Sequence, residues 1–282
     1  MMKKSKKGIC PLPILPALVS DNDMAFYSVN DGPHGKVVQA AYINTAGKNK
    51  RMHVYLPPDY DETADTLYPV LYLNHAGGGD DASWTAIAPE TGGRAHLILD
   101  NLIAEKKATP MIIVMPDTSD CASGTPPEPD RDDACTTEYL KDIIPFVEAR
   151  FRVKTGRENR AIAGASMGGF VVMNTGLSHL DTFSELYVFS SGYRTEEDQK
   201  AFEENFKAVL KDPKTNELLR VPFYMAQGET DIALLNGQKV MSVIHKYGVR
   251  NFWVLSSSGH DWKNWRRYLH QTAQIMFPEN EV

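Results

Sequence analysis

The chain has 282 residues, of which 42% are hydrophobic and 23% charged, and a formal charge of −6. These values describe a globular protein and exclude a fibrous or intrinsically disordered one. Lys3, Lys4, Lys6 and Lys7 concentrate positive charge in the first seven residues and leave −10 on the remainder. An acidic body lacks the clustered cations that a nucleic-acid backbone requires of its partner.

In chain order, the lysines read as a disordered tail. The run GICPLPILPALVS that follows is apolar but broken by Pro11, Pro13 and Pro16. It is too interrupted for a signal-peptide core and too short for a membrane helix, which needs about 20 apolar residues. That leaves export open and gives no reason to expect a membrane partner. Residues 1–31 are expected to form a tail or arm, ordered in part at most, ahead of a single domain over 32–282.

Eight strands are expected: 36–43, 51–57, 68–75, 110–117, 160–165, 185–191, 221–228 and 251–258. The first two alternate in part, as antiparallel strands near an edge do. Several later ones are nearly continuous apolar runs, as in a parallel sheet covered on both faces. Helical periodicity falls between them, over 94–107, over 137–151 with Pro145 as an interruption, after residue 166, and in EEDQKAFEENFKAVL, LLNGQKVMSVIHKYG and WKNWRRYLHQTAQIM. This alternation predicts an α/β fold, with a mostly parallel central sheet and helices on both faces. The irregular stretch from Thr118 to Thr136 leaves the carboxyl end of a strand and is expected to border a pocket. Cys121 and Cys135 flank part of it and either close it as a disulfide in an oxidising compartment or stay as separate thiols. Cys10 has no obvious mate, and no CxxC pair suggests zinc.

GASMG, residues 164–168, fits G-x-S-x-G between a strand and a helix, the setting of a nucleophile elbow. A serine hydroxyl needs a base, and the base needs a carboxylate to fix its tautomer. His179, His245 and His270 fall at a helix end or inside helices. His260 follows a strand and Gly259 just ahead of a helix, on the same sheet edge as Ser166, and takes the base role. QGETDI, which ends the strand VPFYMAQ, offers Glu229 and Asp231, and Asp231 is preferred because it lies further out along the loop. Asp261 competes as the N-cap of the following helix. A developing oxyanion needs N–H donors. These are expected from Met167, after the nucleophile, and from the Gly-rich loop NHAGGGDD, with Gly77 preferred and Ala76 as the alternative. Trp84, Trp262 and Trp265 offer aromatic faces to an acyl ring or a sugar, or else pack internally.

At these residues the chain resembles the esterase D-like branch of the α/β-hydrolases, and more closely the feruloyl and acetyl-xylan esterases of carbohydrate esterase family one. The likeness starts at GPHGKVVQAAYINTAGKNKRMHVYLPPDYD and runs through LYPVLYLNHAGGGDDASW, IAGASMGGF and SSSGHDWKNW. It implies Ser166, His260 and Asp231 as the triad and His75 to Gly79 as the oxyanion loop, with His75 near the substrate. Ala76 departs from the family's usual glycine, and AQGETD is a loose match to its acid loop. The resemblance implies a secreted or periplasmic serine esterase that needs no cofactor or metal and takes feruloylated or acetylated plant polysaccharide. Feruloyl ester hydrolysis leads. An acetyl-xylan esterase, a short-chain ester or thioester hydrolase, an acyltransferase and a non-enzymatic carbohydrate-binding protein are the alternatives.

Overall fold

The computed structural model describes residues 13–278, so the lysine-rich start and Cys10 lie outside the described residues. Eight strands form one sheet: β1 (Lys36–Ile43), β2 (Asn49–Leu56), β3 (Val70–Asn74), β4 (Ile112–Pro116), β5 (Arg160–Ala165), β6 (Glu185–Phe189), β7 (Phe223–Gly228) and β8 (Asn251–Ser256). Their spatial order is β1-β2-β4-β3-β5-β6-β7-β8. β1 and β2 pair antiparallel, as do β2 and β4, and every later pair is parallel. This is the α/β-hydrolase architecture expected above.

Strand side chains point alternately to opposite faces, so a strand covered on both sides must be apolar throughout. In β3, Val70 and Tyr72 enter one core while Leu71 and Leu73 enter the other. β6 divides in the same way, with Leu186 and Val188 against Tyr187 and Phe189. One face is covered by α2 (Ala134–Glu138), α3 (Ile144–Arg150), α4 (Met167–Val171), α5 (Glu196–Asn205) and α8 (Leu234–Lys246). The other is covered by α1 (Ala95–Ala104) and α9 (Trp262–Ala273). Between α4 and α8 the chain also forms α6 (Lys207–Lys211) and α7 (Thr215–Leu218).

Pro145 neither ends the helical stretch over 134–150 nor simply kinks it. Residues Tyr139–Ile143 widen into a π turn, in which the Ile144 N–H bonds the Tyr139 carbonyl. Pro145 then sits in the first turn of α3, where its missing N–H costs little.

Residues 13–31 run over α1 and α9. Arg267 Nε donates to the Val19 carbonyl at 2.9 Å and Gln271 Nε2 to that of Pro16 at 2.6 Å. Asn101 Nδ2 donates to the carbonyls of Ala25 and Ser28, and Phe26 is buried. The arm therefore braces α9, the helix that begins two residues after His260.

Candidate active site

β5 ends at Ala165 and α4 starts at Met167, so the whole reversal falls on Ser166. Its backbone adopts φ 54° and ψ −111°, a conformation non-glycine residues rarely take. The Ser166 N–H is held by the Phe189 carbonyl of β6 at 2.9 Å. The flanking glycines are sterically required. A Cβ on Gly164 would lie 2.3 Å from the Gly168 carbonyl oxygen, and one on Gly168 would lie 2.6 Å from that of Asn74.

The turn presents the Ser166 hydroxyl to His260, whose Nε2 accepts it at 2.9 Å. His260 Nδ1 in turn donates to Asp231 Oδ1 at 2.8 Å. Both side chains sit on loops at the carboxyl edge of the sheet. Gly228 ends β7 where a Cβ would strike the Ser258 carbonyl, and a turn closed by the Asp231 N–H on the Gly228 carbonyl follows. That turn buries the Asp231 side chain completely while His260 keeps 21% exposure. Burial raises the Asp231 carboxyl, but donation from His260, the influence of the nearby Ser190 hydroxyl and donation from the Ala233 N–H outweigh it and hold the group below the ordinary carboxylate range.

The alternatives resolve by position. Glu229 is exposed, and its side chain does not reach His260. Asp261 caps α9, accepting from the Asn264 N–H on Oδ1 and from Ser258 Oγ on Oδ2. His179 pairs with Asp132, and His245 with Asn251. His270 is buried in α9, and burial lowers its pKa.

The Gly-rich loop lies against the elbow, since a Cβ on Gly77 would come within 2.9 Å of Met167 Cγ. Gly78 takes φ +77° inside a turn closed by the Gly79 N–H on the Ala76 carbonyl at 3.0 Å. Met167, as the first residue of α4, has no intrahelical acceptor for its N–H. Its N–H and that of Gly77 are thus carried by adjacent segments beside Ser166.

Three expected substrate contacts are corrected. His75 is only 4% exposed; its Nδ1 donates to the Ala76 carbonyl at 2.8 Å and its Nε2 accepts the Thr118 N–H at 3.1 Å. With both nitrogens used inside the protein, it props the Gly-rich loop. Trp84 is fully buried and donates from Nε1 to the Asn74 carbonyl at 2.9 Å. Trp265, 5% exposed, stands edge-on to His260 with ring centroids 5.2 Å apart. Trp262 packs against both, at 5.0 Å in each case, and alone of the three is partly exposed. The tryptophans form an aromatic backing for His260 because each indole fills space the other two leave.

Residues 118–136 border a cavity of about 410 Å³, shared with Leu177, His179 and Phe206, but none of Ser166, His260 or Asp231 lines it. Cys121 and Cys135 are joined as a disulfide. Asp120, Cys121 and Glu138 are the one group spaced like metal ligands among the described residues. The Cys121 sulfur is committed to the disulfide, and Lys50 pairs with both carboxylates, reaching Glu138 at 3.5 Å.

Sequence reasoning passed over Ser190, Ile232 and Leu235. Ser190 belongs to FSSG at the end of β6, the same sheet edge as the triad, and that position was the available signal. Ile232 and Leu235 are 79% and 68% exposed immediately after Asp231. Two bare aliphatic side chains beside a candidate acid are the signal there.

Residues 43–275 match the family model described as "Putative esterase". The chain belongs to this esterase family. It is 30% identical over 264 residues to an endo-1,4-beta-xylanase/feruloyl esterase of Xylanibacter ruminicola, an alignment covering 90% of this chain and 33% of the relative. An esterase of Mycobacterium tuberculosis is 36% identical over 131 residues, 44% of this chain and 25% of that protein. The chain thus spans a third or less of the length of these two curated relatives. Among solved structures, the feruloyl esterase module of Clostridium thermocellum in complex with sinapinate superposes with a TM-score of 0.74 at 19% identity, covering 96% of this chain and 97% of that one. The ferulic acid esterase of Anaeromyces mucronatus in complex with ferulic acid gives 0.73 at 19% identity, with 93% and 98% coverage. At these identities the structures establish a shared esterase-family fold.

Proposed function

We propose that the protein is a serine carboxylic-ester hydrolase working through an acyl-enzyme. The observation that carries this reading is the continuous hydrogen-bonded chain from Ser166 Oγ through His260 to the buried Asp231 carboxylate. Ser166 Oγ attacks the ester carbonyl carbon as His260 Nε2 takes its proton, and Asp231 stabilises the imidazolium. The Met167 and Gly77 N–H groups receive the oxyanion. Collapse breaks the ester C–O bond, and the alcohol leaves with the proton from His260. Water then attacks the acyl-enzyme, gives its proton to His260 and releases the acid and Ser166.

The acyl group we assign is feruloyl, carried on arabinoxylan. The name of the Xylanibacter relative supports it, as do Ile232, Leu235 and partly exposed Met167 and Trp262, apolar groups next to the triad in sequence that suit an aromatic acyl chain better than acetyl. The disulfide supports work in an oxidising, extracytoplasmic compartment.

Rates on methyl ferulate, acetylated xylan and an S-acyl thiol test the assignment. The expected order of kcat/KM puts methyl ferulate first, and Ser166→Ala abolishes all three while staying folded. Release of acetyl groups with methyl ferulate untouched would overturn the feruloyl assignment, and an active Ser166→Ala variant would overturn the mechanism.

A further inference from the structure

Asp231 uses its two oxygens unequally. Oδ1 accepts both the His260 Nδ1–H and the Ala233 N–H, each at 2.8 Å. Oδ2 is buried with no well-formed hydrogen bond among the described residues. The side chain is fully shielded from bulk water, so leaving Oδ2 unpaired would carry the desolvation cost of a buried polar group. The Ser190 hydroxyl, on a segment tied to β7 just ahead of the Asp231 turn, is likewise buried and without an acceptor, and it bears on the charge of the carboxylate. A hydroxyl hydrogen rotates freely to suit its surroundings, so the two unmatched groups complete one another.

Ser190 is also held in an unusual way. It adopts φ 50°, in the left-handed region, and is completely buried. Its N–H is anchored to the Ala226 carbonyl of β7 at 2.8 Å, and the preceding carbonyl, that of Phe189, holds the Ser166 N–H. A non-glycine residue keeps such a backbone only where its surroundings impose it, and such residues cluster at functional sites. The segment Phe189–Ser190 therefore holds the nucleophile's backbone through one residue and is tied through the next to β7, the strand that leads into the Asp231 turn.

We infer that Ser190 is a positioning residue of the catalytic apparatus, its hydroxyl donating to Asp231 Oδ2 and fixing the carboxylate plane so that Oδ1 faces His260 Nδ1. The inference rests on the esterase reading above. It assigns Ser190 no contact with substrate; its effect is transmitted through Asp231 to the orientation of the imidazole.

Ser190→Gly is the decisive variant, because glycine accepts φ 50° without strain and removes only the hydroxymethyl group. Expected are a fall in kcat on 4-nitrophenyl acetate of about tenfold to a hundredfold, the range of one hydrogen bond to a charged group, and an unchanged KM. Tm should move by no more than about 4 °C. Ser190→Ala should lose kcat equally while melting lower, since alanine keeps the strained backbone and loses the bond. Wild-type kcat in Ser190→Gly, or a rise in KM alone, overturns the inference. The downfield proton resonance of the His260 Nδ1–H supplies a readout free of substrate. It should shift or broaden in Ser190→Gly, and an unchanged resonance overturns the inference whatever the kinetics. A wild-type protein inactive on every ester would sink the esterase reading, while this resonance would still decide the role of Ser190.

Discussion

Asp231→Asn separates charge from shape at the site. The His260 Nδ1–H and Ala233 N–H converge on one oxygen, Oδ1, and an asparagine can leave its carbonyl oxygen there and turn its NH2 toward Ser190. In that orientation the imidazole keeps its tautomer, and the loss is the negative charge facing the imidazolium formed during acyl transfer. Opposite charges about 4 Å apart interact by about 4 kcal/mol at an effective dielectric near 20. At 1.36 kcal/mol per tenfold in rate, kcat should fall roughly a thousandfold. A flipped amide would instead donate toward Nδ1 and drive the proton onto Nε2, raising the loss toward roughly ten-thousandfold. The assay is initial-rate hydrolysis of 4-nitrophenyl acetate at saturation, with circular dichroism melts to establish folding. Glu229→Gln and Asp261→Asn are the controls: the first alters an exposed side chain and the second retains a capping residue, so both should keep wild-type kcat. More than a tenth of wild-type kcat in Asp231→Asn, or a comparable loss in Glu229→Gln, would refute the assignment. The lowered pKa of Asp231 adds a stability signature. A carboxyl depressed in the folded state stabilises it above the ordinary carboxylate value, and that contribution is lost as pH falls through the lowered one; Asp231→Asn should melt with less acid dependence.

Glu185 carries the opposite sign. Burial raises its carboxyl to about 7, against donation from the Tyr187 hydroxyl and the Phe277 N–H. Folding should therefore lose roughly 3 kcal/mol from this group as pH rises from the unfolded value near 4.5 to about 7, and thermal melts of Glu185→Gln across that window should be flatter than wild type; parallel curves would remove the raised carboxyl from the account. The Cys121–Cys135 bond, closing a separation of 14 residues, should contribute about 3 kcal/mol, seen as a lower urea midpoint on reduction or in Cys135→Ser. Equal midpoints would show that the unfolded chain gains little freedom from losing it. In His75→Ala, loss of the bonds to Thr118 and Ala76 should lower kcat and leave KM in place, because the Gly-rich loop loosens without removing a substrate contact. A rise in KM at constant kcat would restore His75 to the substrate.

The features that were legible in the sequence are those whose physical cause is local. A strand buried on both faces must be apolar at every position, so VLYLN and ELYVF announced themselves. The elbow was equally readable, because Gly164 and Gly168 are demanded by backbone contacts within a few residues of Ser166 or from the adjoining β3. The choice between Glu229 and Asp231 was of another kind. It depends on where β7 stops, and that is fixed by its pairing with β8, Gly228 against Ser256, together with the Ser258 carbonyl that blocks any side chain at 228. The tryptophans show the same dependence on distant chain. HDWKNW places Trp262 and Trp265 three apart on one helical face, but whether that face meets substrate or protein was decided by Trp84, far away in sequence, which fills the space behind them. His75 looked like a ligand-facing residue of the Gly-rich loop until Thr118, arriving from the end of β4, capped its ring. Ser190 is the extreme case: FSSG signals only that it ends a strand on the triad's edge, and its significance arises when parallel pairing brings the ends of β5, β6 and β7 together. The motif thus identifies the nucleophile, while the groups that tune it come from strand ends that only the assembled sheet makes neighbours.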